Sequence, residues 1–229
     1  MSHSPADAPL QQTPLAACHR ELGARMVPFA GWEMPVQYPE GILAEHHHTR
    51  RQVSLFDICH MGEFRVRGRD VATALDRIFP RPVADQPVGA CRYNFLLSEA
   101  GTVLDDLIIY RLADEEFYIV VNAGTRADDA ACLRERLPAT ITFADESEAT
   151  AKFDLQGPES AAVLLAAGLP KAELPNYYRW RRVTIAGVPV LLELAQFEWN
   201  ELAEMLRHHP RLHVVVLQTS YRLNRYIFP

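Results

Sequence analysis

The sequence predicts an α+β domain. Hairpins recur along the chain, and helices and strands intersperse without a regular β-α-β rhythm. Three strands also follow one another directly, over 91–98, 102–112 and 117–122, and a short antiparallel meander of that kind packs one face on helices. With 229 residues and 48% hydrophobic content, the chain is long and apolar enough to bury a core of its own.

The elements follow in order. Residues 1–12 are small, polar and proline-bearing, and read as disordered. Thr13-Pro14 offers a cap and a first helical proline, Leu15, Cys18 and Leu22 follow at helical spacing, and Gly23 closes that helix. The run 25–38 is aromatic and broken by proline, and reads as short strands around a turn at Ala30-Gly31. Residues 40–54 form a second helix with histidine and arginine on its outer face. In 55–68, Phe64 and Val66 alternate as in a strand. Asp70 is placed to cap a third helix whose stripe is Val71, Leu75, Ile78 and Phe79. A proline-rich loop, 80–89, leads into the meander. Thr125-x-x-Asp128 resembles a capping box and starts a helix to about Leu137. Strands near 139–144 and 149–156, a helix opening at Pro158, and a hairpin over 181–192 turning at Ala186-Gly187 complete this part.

Composition narrows the function. A net charge of −6 leaves no electrostatic footprint for nucleic acid. No apolar run is long enough to span a membrane. The first twelve residues have neither a basic n-region nor an apolar h-region, so no secretory signal is expected. Cys18, Cys59, Cys91 and Cys132 stand far apart with no CxxC pair, which points to reduced thiols and a cytoplasmic protein.

The sharpest chemical signal lies in 101–122. Its first strand carries two adjacent carboxylates inside an apolar run. Alternation puts Asp105 with Val103, Leu107 and Ile109, and Asp106 with Leu104, Ile108 and Tyr110. Whichever face looks inward, one carboxylate is held among aliphatic groups where ionisation is costly. An inward charge that discourages strand addition would read the same way, so physics alone leaves both readings open. Other candidates are weaker. His46, His47 and His48 are successive on a helix, point about 100° apart and cannot converge on one metal, so no metal site is expected. Cys59 and His60 are neighbours on an extended segment and face opposite sides, which disfavours a thiolate–imidazole pair.

A family resemblance decides between the readings. The segment 23–68, with FAGWEMP and CHMGEF, resembles the start of aminomethyltransferase, the T-protein of the glycine cleavage system. The likeness runs on through RYNF and LDDLIIYR in 92–112, VVNA in 117–129, LQGPES in 155–164 and 177–192. It covers 13–192 in order, with Cys59 standing where the family usually has serine. The resemblance implies a folate-binding α+β domain of antiparallel strands and packed helices, built from two similar halves. It implies that Asp106 is the catalytic carboxylate and that Met61, Tyr93, Ile108 and Asn122 line the folate pocket. The co-substrate would be tetrahydrofolate and the partner the H-protein, whose lipoyl group carries the aminomethyl unit. Ammonia and 5,10-methylenetetrahydrofolate would be products. The rival reading is a non-catalytic folate-binding or H-protein-docking module.

The likeness stops after about residue 192, so the chain reads as truncated or fused there. Residues 193–229 read as an unrelated tail, a helix with the stripe Trp199, Leu202, Met205 and Leu206, then a buried-type strand, LHVVVLQ. No HxH or other ligand set accompanies it.

Overall fold

Alternating apolar side chains and tight polar turns produce three sheets, seen in a computed structural model that describes residues 9–176, 178–195 and the backbone of 214–220. The chain runs through β1 (Gln11–Gln12), α1 (Ala16–Glu21), β2 (Arg25–Phe29), β3 (Trp32–Gln37), α2 (Ile42–Arg51), β4 (Ser54–Asp57), β5 (Gly62–Arg67) and α3 (Val71–Asp76). The meander follows as β6 (Cys91–Leu97), β7 (Val103–Ala113) and β8 (Glu116–Val121). Then come α4 (Arg126–Arg136), β9 (Thr142–Asp145), β10 (Thr150–Gln156), α5 (Ser160–Ala166), β11 (Arg179–Ile185), β12 (Val188–Ala195) and β13 (Val214–Ser220). Helices and antiparallel pairings mix as an α+β fold requires. No helix of the described residues is long and apolar enough to cross a membrane.

The first large sheet has the order β6-β7-β8-β5-β9, with every pairing antiparallel. One face carries Phe64, Val66, Leu107, Ile109, Phe117 and Ile119, which pack on Val71 and Leu75 of α3 and on Ala130 and Leu133 of α4. The opposite face presents Cys91, Tyr110, Leu112, Tyr118 and Val120, and packs on Trp180 of β11 with Leu191 of β12 against it. Two sheets therefore face each other, as in sandwich packing.

The second large sheet has the order β11-β12-β13-β10-β4. Its outer face is closed by Leu164 of α5 and by Leu169, packed with Leu155, Val183, Val190 and Leu192. Gly157 makes the step from β10 towards α5 with φ +134°. A Cβ there would overlap the Gln52 carbonyl oxygen and approach Val53 Cα to 2.7 Å. Only glycine accepts that close approach of two backbones.

Four local expectations change. Gln11 and Gln12 lie in the run expected to be disordered, yet they pair in parallel with Trp32 and Glu33. Their backbone finds partners on an otherwise open strand edge. Asp70 precedes α3 in the left-handed region (φ 63°) and makes no side-chain cap bond, so it works as a turn residue that tolerates positive φ. Thr125 makes no cap bond either; its hydroxyl donates to the Asn122 carbonyl at 3.3 Å. The helix expected over 40–54 ends at Arg51, and β4 begins at Ser54 because those residues pair with β10.

The strand expected near LHVVVLQ forms at Val214–Ser220, and its place is internal. It runs antiparallel to both β10, with Asp154 opposite Val216, and β12, with Leu192 opposite Leu217. The helical stripe expected at Trp199, Leu202, Met205 and Leu206 lies outside the described residues.

Candidate functional site

Along β7 the two faces meet different fates. Asp105, Leu107 and Ile109 point to the helical layer and are buried. Leu104, Asp106, Ile108 and Tyr110 point to the other sheet, and their burial deepens along the strand. Leu104 is 46% exposed, Asp106 exposed, Ile108 half-buried and Tyr110 fully buried. Asp106 thus stands at the open mouth of the space between the sheets.

This placement decides what alternation left open. The carboxylate held among aliphatic groups is Asp105, because α3 and α4 cover its face, and Asp106 stands open to solvent. Asp105 is satisfied by Asn122 twice: the backbone N–H donates at 3.0 Å and the side-chain amide at 2.9 Å.

Asp106 is fixed from two sides. The Tyr93 hydroxyl donates to its Oδ2 at 2.9 Å, and the Asn122 Nδ2 donates to its Oδ1 at 3.2 Å. The same Nδ2 also lies 3.0 Å from the Asp106 carbonyl oxygen. One amide therefore bridges both adjacent carboxylates. Partial burial, then the hydrogen bond to Asp106, push the Tyr93 hydroxyl up to about 12, so it stays a donor at neutral pH.

Met61, Tyr93, Asp106, Ile108 and Asn122 come together across one sheet. Tyr93 on β6 is the register partner of Ile108 on β7, and Ile108 faces Val120 on β8. Asn122 follows the last residue of β8, and Met61 precedes Gly62 of β5, which pairs with Val121. Met61 and Ile108 pack on the same buried cluster around Tyr110 and Tyr118. Phe95, 36% exposed, stands edge-on to Tyr93 with ring centroids 5.1 Å apart. The result is an open patch with aromatic and aliphatic walls around one exposed, hydrogen-bonded carboxylate. It suits a flat, partly apolar ligand that brings N–H groups to that carboxylate.

Sequence reasoning missed Asp129. It lies on α4, buried, and burial together with the neighbouring Asp105 charge pushes its carboxyl up to about 7. Asp128 drew attention as a cap partner, while Asp129 had no motif of its own. Its i, i+4 spacing to the buried Leu133 was the available signal.

The weaker candidates resolve structurally. The Cys59 thiol is buried and donates to the Lys152 carbonyl at 3.3 Å, and burial holds it protonated. His60 stands edge-on to Phe29 at 5.7 Å. His46, His47 and His48 are exposed on α2, and among the described residues no group of three or more His, Cys, Asp or Glu could hold a metal ion. A separate cleft of about 380 Å³ lies beside α4, lined by Trp32, Arg126, Arg134, Asp145 and Glu148 among others, and none of the five residues above lines it.

The GCVT N-terminal domain family matches residues 15–197, four-fifths of the chain. The chain belongs to this family. Curated relatives agree: an aminomethyltransferase from Symbiobacterium thermophilum is 40% identical over 189 residues, covering 80% of this chain and 50% of that protein. One from Cutibacterium acnes is 39% identical over 193 residues, covering 80% and 52%. In structure, the glycine cleavage system aminomethyltransferase T from Bartonella henselae superposes with a TM-score of 0.79 at 32% identity, over 92% of this chain and 54% of that one. The chain spans about half the length of the curated relatives it matches. The GCVT match extends to residue 197, just past the point where the motif likeness fades.

Proposed function

We propose that this chain carries the folate-facing carboxylate site of a glycine cleavage aminomethyltransferase, with Asp106 as the catalytic group and Met61, Tyr93, Ile108 and Asn122 as the folate wall. The observation that carries the reading is the double anchoring of an exposed carboxylate by Tyr93 and Asn122, with apolar walls beside it. The family reaction moves a methylene carbon from the aminomethyl-lipoyl arm of the H-protein onto two nitrogens of tetrahydrofolate, with ammonia and the lipoyl thiol as the other products.

In that reaction Asp106 has three tasks. Its free lone pairs accept an N–H and so orient the attacking nitrogen. The carboxylate can take the proton which that nitrogen sheds, and its charge stabilises a developing iminium. Tyr93 and Asn122 hold its two oxygens in place, so little reorganisation is needed as charge develops. The openness of Asp106 to solvent weakens the electrostatic part relative to a dry cavity. That openness favours a second reading, a folate-binding or H-protein-docking module without turnover.

The test is to titrate the purified chain with tetrahydrofolate and to measure ammonia release from aminomethyl-loaded H-protein. Asp106→Asn should lower the rate by about 10²- to 10⁴-fold with folate affinity little changed. Binding without ammonia release in the unmodified chain would select the module. Absence of binding to both tetrahydrofolate and H-protein would remove both readings.

A further inference from the structure

β10 buries both of its faces. Ala151, Phe153 and Leu155 enter apolar layers, as alternation in a covered strand requires. The opposite face, Thr150, Lys152 and Asp154, is equally buried but polar, and turns toward the first sheet. There the Lys152 ammonium meets Glu63, Glu193 and Asp154 as its opposing charges, with Cys59 beside it. Glu63 is fully buried, and both of its carboxylate oxygens lack a hydrogen-bond partner among the described residues. Glu193 is held by the Cys91 thiol at 2.7 Å and by the Tyr110 hydroxyl.

Nothing in the proposed chemistry uses this layer, yet it grips a piece of the site. The Lys152 carbonyl accepts from the Ile58 N–H at 3.1 Å and from the Cys59 thiol at 3.3 Å. The Lys152 N–H donates back to the Cys59 sulfur at 3.3 Å. Within the turn so clamped, the Met61 N–H donates to the Ile58 carbonyl at 3.2 Å. Beyond the turn, the Lys152 Nζ reaches the Met61 Sδ at 3.9 Å.

We propose that Lys152 is the positioning residue for Met61, clamping the 58–61 turn through its backbone and aiming the methionine side chain through its ammonium. The consequence for folate rests on the function proposed above; the grip itself is geometric. Methionine has three rotatable bonds and is poorly fixed by packing alone, so a pocket wall made of it needs a directional contact. Lys152 supplies that contact from beneath, and Glu63, two residues after Met61, is the carboxyl whose attraction acts most strongly on it. Burial lowers the lysine's proton affinity and raises that of Glu63, while their attraction opposes both effects.

The experiment labels the methionine methyl groups with 13C, five in the chain, and assigns Met61 through Met61→Leu. Lys152→Met keeps the volume and removes the charge, and the extra methyl signal it introduces is identified in the Met61→Leu, Lys152→Met double variant. The Met61 methyl signal is expected to leave its wild-type position and move toward the averaged position of a mobile methionine. Tetrahydrofolate affinity should fall by roughly tenfold, the weight of one mispositioned apolar contact. Lys152→Arg, which keeps a cation, should stay nearer wild type in both readouts. An unmoved methyl signal in Lys152→Met, or a moved one with unchanged folate affinity, overturns the proposal. If the wild-type chain binds no folate, the function proposed above falls and the methyl signal alone decides the positioning. Should Lys152→Met fail to fold, Glu63→Gln, read above about pH 8 where Glu63 is ionised, removes the opposing charge, and it too must shift the Met61 methyl signal; no shift there overturns the proposal.

Discussion

Replacing Asn122 with alanine would strip donors from two carboxylates at once. The buried Asp105 would lose the side-chain amide and keep the backbone N–H, and Asp106 would keep the Tyr93 hydroxyl. Leaving a buried carboxylate oxygen unsatisfied costs about 1–3 kcal/mol, more for a charged group. Asn122→Ala should therefore lower the unfolding free energy in urea by that order, and also weaken folate binding. A variant with unchanged stability would mean that water replaces the amide at Asp105. Alternation along β7 made the two face-sharing sets legible from sequence, since it depends only on the pleat. It could not say which set looks inward. That depends on α3 and α4, which cover the Asp105 face from elsewhere in the chain. Lys152, Asp154 and Glu193 were illegible for the same reason: on a strand they read as an ordinary solvated face until a second sheet buries them.

The helix α4 adds a proton-dependent joint to the meander. Asp129 has its carboxyl raised to about 7 from the ordinary 3.8 by burial and by Asp105. The folded chain therefore binds a proton that the unfolded chain releases. The stabilisation is fully present below about pH 4 and is lost as pH rises through about 7. Asp129→Asn stays neutral throughout, so it should flatten this part of the profile, by on the order of 1–3 kcal/mol between about pH 5 and 8. Urea unfolding of both proteins across that range measures it, and parallel profiles would show that neither burial nor Asp105 raises the Asp129 carboxyl. The elements themselves were largely legible. The meander had clean alternation and turns of the right chemistry, with Gly101 at positive φ between β6 and β7. Caps were less so. Asp70 and Thr125 have the right chemistry for capping, but neither side chain makes the bond.

At the largest scale two of the three sheets face each other, and the second of these depends on its latest described strand. β13 pairs along six or seven residues on each side, so the hydrogen-bonded ladder joins β10 to β12 only through it. Proline at Val216 would remove a backbone N–H from the centre of that ladder. Val216→Pro should destabilise the chain by at least about 1–3 kcal/mol in urea or thermal unfolding, the cost of a buried carbonyl left unpaired. An unaffected variant would place β13 at an edge instead. The sequence announced a strand in LHVVVLQ through its apolar run. Its insertion between β10 and β12 was hidden, because pairing partners from about 20 to 70 residues away leave no local trace.

That insertion sets an order of events. β10 precedes β13 by some sixty residues, so during synthesis β10 and β12 exist as raw edges before the strand between them has been made. Non-local pairings of this kind are slow to form, and waiting edges are templates for any other chain nearby. Newly made chains are thus most exposed to association with one another in the interval before 214–220 arrives. The polar layer of Lys152, Asp154 and Glu193 lies on those two waiting strands. While the gap is open, a strand entering it would have to pack one face beside those inward-pointing charges, which disfavours an apolar intruder.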